Sequence, residues 1–218
     1  MSGCSPEERL ARAGLLLTGE PGDAATARAV RTQGAVECWE RARRGWAPAT
    51  PPVDPAAVLA EQAGRGGRLV CPGDEEWPPR LSDLDRTAGI DALAAPLGLW
   101  VRGPGSLSAV IERAAAVVGS RAASAYGLHV AGELGLGLAE AGWSVVSGAA
   151  LGIDGAAHRG SLVGGGPTVA VLAGGIDVPH PPAPTRRCSS GLGLRGSSSA
   201  RHHLMAFRCA AGFSCATG

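Results

Sequence analysis

Gly119, Ser120 and Arg121 follow directly on the apolar run Ala114–Val118, and Ser124 stands three residues further on. Glycine lets a ligand approach the backbone closely, serine caps a helix or donates to an oxygen, and arginine brings a planar, permanently charged fork. That combination is chemistry for holding phosphate. A second glycine-rich stretch, "SGAALGID", runs from Ser147 to Asp154, and a third turn, Gly174-Gly175, follows "PTVAVLA". If the three turns share one edge, they form an anion-binding rim; the plainer alternative is three tight turns with no ligand. Asp154 and His158 lie four residues apart, which puts them on one helix face. An acid–base pair is one reading, yet no nucleophile or third member accompanies them. In the other, Asp154 favours the first helical turn and His158 packs beside it.

Several chemistries are excluded. Arg121 and Ala122 stand where a dinucleotide fingerprint needs glycines, and Ser147-Gly148 offers no carboxylate to a ribose. The string "GLGLRG" at 191–196 has no strand before it. All 20 basic residues are arginine, so a phosphate-binding P-loop with its lysine is impossible. "RHHL" with Cys188, Cys209 and Cys215 lacks metal-ligand spacing. The expectation is no cofactor and no metal. The tryptophans at 39, 46, 77, 100 and 143 read as packing residues.

The elements that must carry these turns are legible as alternating patterns. Residues 114–118 read as a strand, 125–141 as a helix with Val130, Leu134 and Leu138 on one face, and 143–147 as a second strand. A helix near 153–163 and a strand in "PTVAVLAGG" complete the series. Apolar strands alternating with helices imply a parallel sheet built of βαβ units. Its loops leave the carboxyl ends of neighbouring strands on one edge. Upstream, residues 6–46 read as two or three short helices, "APATPPVDP" as a linker, "DPAAVLAEQAG" as a helix, and "LGLWVRG" as carrying a strand over 97–102.

The chain has 218 residues, of which 45% are hydrophobic and 18% charged, enough for a packed core. Net charge is +1, but residues 1–177 hold 15 arginines against 19 acids, and no acid follows Asp177. A nucleic-acid site must therefore be local, not a basic face. Six cysteines without CxxC spacing, and no signal-peptide or membrane-span pattern, lead to the expectation of a cytoplasmic protein with reduced thiols and no membrane partner. The expected organisation is a small helical domain over 1–50, a linker and helix over 51–66, a Rossmann-like domain over 67–182, and an irregular tail over 183–218. The tail is expected not to continue the fold, as a frameshift product or a degenerate terminus would not, which leaves the parallel sheet incomplete at its C-terminal side.

The segments "VVGSRAASAYG", "LAEAGWSVVSGAALGIDGAAHRGSL" and "GGPTVAVLAGGIDVPHPP" closely resemble the DNA-processing protein A (DprA, also called Smf) family. "PGDEEWPPRLSDL" and "LGLWVRG" match the same family's approach to the sheet, so the resemblance covers residues 6–182 or so. It implies an α/β, extended Rossmann-like fold preceded by a small helical, SAM-like domain. It also implies single-stranded DNA as ligand, protection of incoming DNA in natural transformation, loading of the RecA recombinase, homodimerisation and no catalytic turnover. Carried over by position, Gly119, Ser120, Arg121, Ser124 and Gly127 match the first phosphate-contacting loop. Ser147, Gly148, Gly152 and Asp154 match the second, and His158 its following helix. Leu151 departs from the pattern, since many members carry a basic residue there. The family's later Arg-Asn and Ser-Gly-Ser segments have no counterpart.

Two alternatives stay open at this point. One is a nucleoside-monophosphate phosphoribohydrolase of the lysine-decarboxylase-like group, although "GGGPTVAVL" lacks that group's catalytic glutamate segment. The other is a non-functional fragment that buries too little surface to offset its chain entropy.

Overall fold

Ser5 opens the first helix. Its hydroxyl accepts the N–H of Glu8 at 3.1 Å, with Pro6 at the first helical position and Glu7 and Glu8 in the first turn. In the computed structural model, which describes residues 3–19, 23–45, 54–86, 94–172 and the backbone of 204–209, α1 spans Pro6–Thr18. Asp23 caps α2 (Ala24–Gln33), Gly34 separates it from α3 (Ala35–Arg44), and Asp54 with Pro55 starts α4 (Pro55–Gly64). Then come β1 (Gly67–Val70), a 3₁₀ segment (Pro79–Arg86) and β2 (Leu99–Arg102), with β1 and β2 adjacent. Next are α5 (Leu107–Ile111), β3 (Ala114–Ala116), α6 (Ala125–Glu140), β4 (Ser144–Ser147), α7 (Ile153–Val163) and β5 (Thr168–Leu172). Two compact units result: Met1–Trp100 with Cys209–Gly218, and Val101–Arg208. Among the described residues no helix is long and apolar enough to cross a membrane.

In the first unit Ala11, Leu15, Val30, Ala35, Cys38 and Trp39 make one apolar cluster. Gly14 makes room for the indole, because a Cβ there would lie 2.6 Å from the Trp39 ring. A polar clip joins α1 to the turn after β1. Arg9 donates to both carboxylate oxygens of Asp74 at 2.9 Å, and also to the Leu69 carbonyl. Asp74 further accepts the backbone N–H groups of Cys71 (2.8 Å) and Cys4 (3.1 Å). Burial alone would raise this carboxyl, but the guanidinium and the two N–H groups hold it below the usual range.

In the second unit β3, β4 and β5 run parallel, pairing Ala115 with Val145 and Val146 with Val169. The unit is α/β with a Rossmann-like parallel sheet, as the alternating pattern requires. One difference concerns α6. Val130 and Leu134, two of the three residues on its apolar face, are 43% and 49% exposed, while Ala131, Gly135 and Ala139 are buried. Leu138 does pack inward, on a cluster of Val117, Val145 and Ala157. The cause is how closely α6 and α7 approach. A Cβ on Gly135 would lie 2.2 Å from the Ala157 carbonyl oxygen, and one on Gly160 would lie 2.0 Å from that of Gly132. Bulky side chains cannot occupy such a seam, so the small residues face it and the large ones turn away.

A second difference is β6 (Leu204–Cys209), whose backbone pairs in parallel with β5 over Thr168–Leu172. The sequence pattern predicts no regular element there. A single six-residue strand surrounded by Ser and Gly has too little periodicity to be read from pattern. The rest of the expected tail, 183–203 and 210–218, lies outside the described residues.

Candidate nucleic-acid interface

Because β3 and β4 are parallel neighbours, the loops that follow them leave the same edge of the sheet. The two loops then interlock. The N–H of Ile153 donates to the Ser120 carbonyl at 3.2 Å, and the N–H of Gly119 donates to Asp154 Oδ1 at 3.3 Å. Gly152 has φ of +86°, and a Cβ on it would stand 2.1 Å from the Ser120 oxygen and 2.6 Å from that of Arg121. Gly119 packs against Ile153 in the same way, with 2.7 Å left for a Cβ. These glycines are therefore required by the mutual approach of the loops, whatever the rim binds. Ala149 adopts a φ of +55°, the left-handed conformation that non-glycine residues seldom take. The third expected turn, Gly174-Gly175, lies outside the described residues.

The expected site residues separate into two groups. Gly119, Ser120, Arg121 and Ser124 are exposed, and Gly127, Gly148 and Gly152 are partly so. Ser124 caps α6 by accepting the N–H of Gly127 at 3.1 Å. Ser147, Asp154 and His158 are buried, and their side chains bond within the protein. Ser147 Oγ donates to the Val117 carbonyl at 2.6 Å and ties β4 to β3. Asp154 braces the first loop through the N–H of Gly119.

His158 is 1% exposed. Thr168 Oγ1 donates to the Val145 carbonyl at 3.0 Å, so it accepts from His158 Nδ1–H at 2.6 Å. Nε2 is then a bare acceptor, buried without a partner among the described residues. Burial outweighs the pull of Asp154 and pushes the imidazole down to about 4. A neutral, enclosed ring bonded to a threonine belongs to the core and not to an acid–base pair.

Between the loops lies a cavity of about 240 Å³, with Arg121, Ala122 and Leu128 on one side and Leu151, Gly152 and Arg159 on the other. Neither guanidinium has a carboxylate partner among the described residues. Sequence reasoning misses Arg159. The available signal is its place as the exposed residue directly after the buried run Asp154–His158.

A parallel sheet with two interlocked glycine-rich loops at one edge defines a Rossmann-like α/β protein with an open, cationic rim. The family model described as DNA recombination-mediator protein A matches residues 68–190, and the chain belongs to that family. It is 49% identical over 174 residues to a putative DNA processing protein DprA of Mycobacterium tuberculosis H37Rv, covering 74% of this chain and 45% of the relative. Against Protein Smf of Escherichia coli K12 it is 36% identical over 127 residues, covering 58% of this chain and 31% of the relative. The X-ray structure of DprA from Streptococcus pneumoniae matches in fold, with a TM-score of 0.59 and 20% identity over 94% of this chain and 67% of that one. The chain spans less than half the length of the curated relatives it matches.

Proposed function

We propose that the second unit binds single-stranded DNA through its phosphates, at the rim formed by the loops after β3 and β4. The observation that carries this reading is Arg121, which lines a cavity between the loops and forms no ion pair with a carboxylate among the described residues. Ser120 beside it is exposed, and its hydroxyl can donate to an anion. A flexible single strand offers phosphates at regular intervals, and contacts to them require no base sequence. The protein acts by binding and not by turnover, since Asp154 and His158 serve as internal supports. Protection of incoming DNA, RecA loading, pairing of protomers and a cytoplasmic location belong to the same proposal. They rest on the resemblance of the glycine-rich motifs to the family to which the chain belongs.

The test is fluorescence anisotropy of labelled oligo-dT with the full chain and with Arg121→Ala. Loss of one charge-assisted phosphate contact is expected to weaken binding at least about tenfold at low salt. Equal affinity of the two proteins would remove the site. Gly152→Ala is expected to weaken binding by a similar factor without touching a charge. Its Cβ cannot coexist with the Ser120 carbonyl, so the loops must part. The same titration checks it, with Gly105→Ala as the control for a positive-φ glycine that has open space around it.

A further inference from the structure

We infer that Arg159 is a second phosphate-contacting residue of this rim, supplying from α7 the cation that loop position 151 lacks; the inference rests on the single-strand reading above. Three observations converge on it. Arg121 comes from the loop after β3 and Arg159 from within α7, yet both line the same cavity. Arg159 is exposed although the residues on either side of it, His158 and Gly160, are buried, so its side chain is free to lie over the surface. Gly155, one turn earlier, explains where it lies. Helical side chains lean toward the N-terminus, over the residue four positions back. A Cβ on Gly155 would sit 3.4 Å from Arg159 Nη1 and 3.1 Å from the Ala150 carbonyl oxygen. The guanidinium therefore passes across the bare backbone of Gly155 to reach the second loop. Leu151, also at the cavity, has no charge to offer.

Two like charges that face one cavity repel, and among the described residues neither is ion-paired to a carboxylate. A phosphodiester between them turns that repulsion into two attractions. Arg159 thus makes the site a two-cation clamp, with one fork from the first loop and one from the helix after the second.

The experiment is the salt dependence of oligo-dT binding by the full chain, compared with Arg159→Gln, Arg159→Lys, Arg121→Ala, and Arg159→Gln combined with Leu151→Arg. Each phosphate contact on a single strand contributes about 0.7 to the slope of log K against log salt. Arg159→Gln is expected to weaken binding several-fold at low salt and to flatten the slope by about 0.7. Arg159→Lys should keep most of the slope, and Leu151→Arg should restore it in the Gln background. An unchanged slope for Arg159→Gln, alongside weakened binding by Arg121→Ala, overturns this inference and leaves the site standing. Unchanged binding by Arg121→Ala removes the site and this inference together. Thermal melts that coincide for the parent and Arg159→Gln assign any loss to contact and not to folding.

Discussion

Gly160→Ala is expected to lower the stability of the second unit by about 3 kcal/mol or more. The added Cβ would stand 2.0 Å from the Gly132 carbonyl oxygen and 2.9 Å from the Leu136 nitrogen. Both are backbone atoms, so no rotamer change relieves the clash, and the helices must separate along a seam that closes over Ala157 and Val145. Such a loss moves a thermal midpoint by on the order of 10 °C in a chain of this size. Gly137→Ala is the control. It lies on α6, where an added methyl would have nothing within 4 Å, so it should be neutral, or should stabilise by up to ~1 kcal/mol through helix propensity. Coincident melts for the two variants would show that the seam tolerates a side chain and that its glycines are incidental.

The second large effect is expected in mild acid. His158 is held down to about 4 by burial, below its ordinary 6.5. As pH falls, the unfolded chain takes up this proton first, so the contribution is complete above the ordinary value and declines down to the folded one. The loss is about 2 kcal/mol at pH 5 and about 3 kcal/mol once the folded ring also titrates. Urea unfolding at pH 7.5 and pH 5 measures it, with His158→Asn as the reference that cannot titrate. Equal pH dependence in the two proteins would mean that the imidazole is hydrated and not enclosed.

The parallel βαβ order was legible because strands buried on both faces read as near-continuous apolar runs, as in "SVVS" and "TVAVL". The placement of the first two loops on one edge follows from that order and from nothing else. The burial of α6 was not legible. Pattern reading favours bulky residues such as Val130 and Leu134 as the buried stripe, whereas the helix seam selects for the smallest side chains. Ser147 and His158 look like ligand groups in a motif, but their partners, the Val117 carbonyl and Thr168, are contributed by other strands. Arg159 escaped notice because its reach depends on an absence, the missing side chain of Gly155. The clip between Arg9 and Asp74 spans 65 positions, a separation that no local pattern reports.

The seam between α6 and α7 also acts as a ruler. Since backbone meshes with backbone, the two helices can slip past each other only by about one turn, ~5.4 Å. Ser124 opens one helix and Gly152 the other, so this mesh fixes the offset between their starting points. The gauge of the rim, meaning the interval at which it would grip successive links of a charged thread, is thus set inside the domain by residues that never meet the thread.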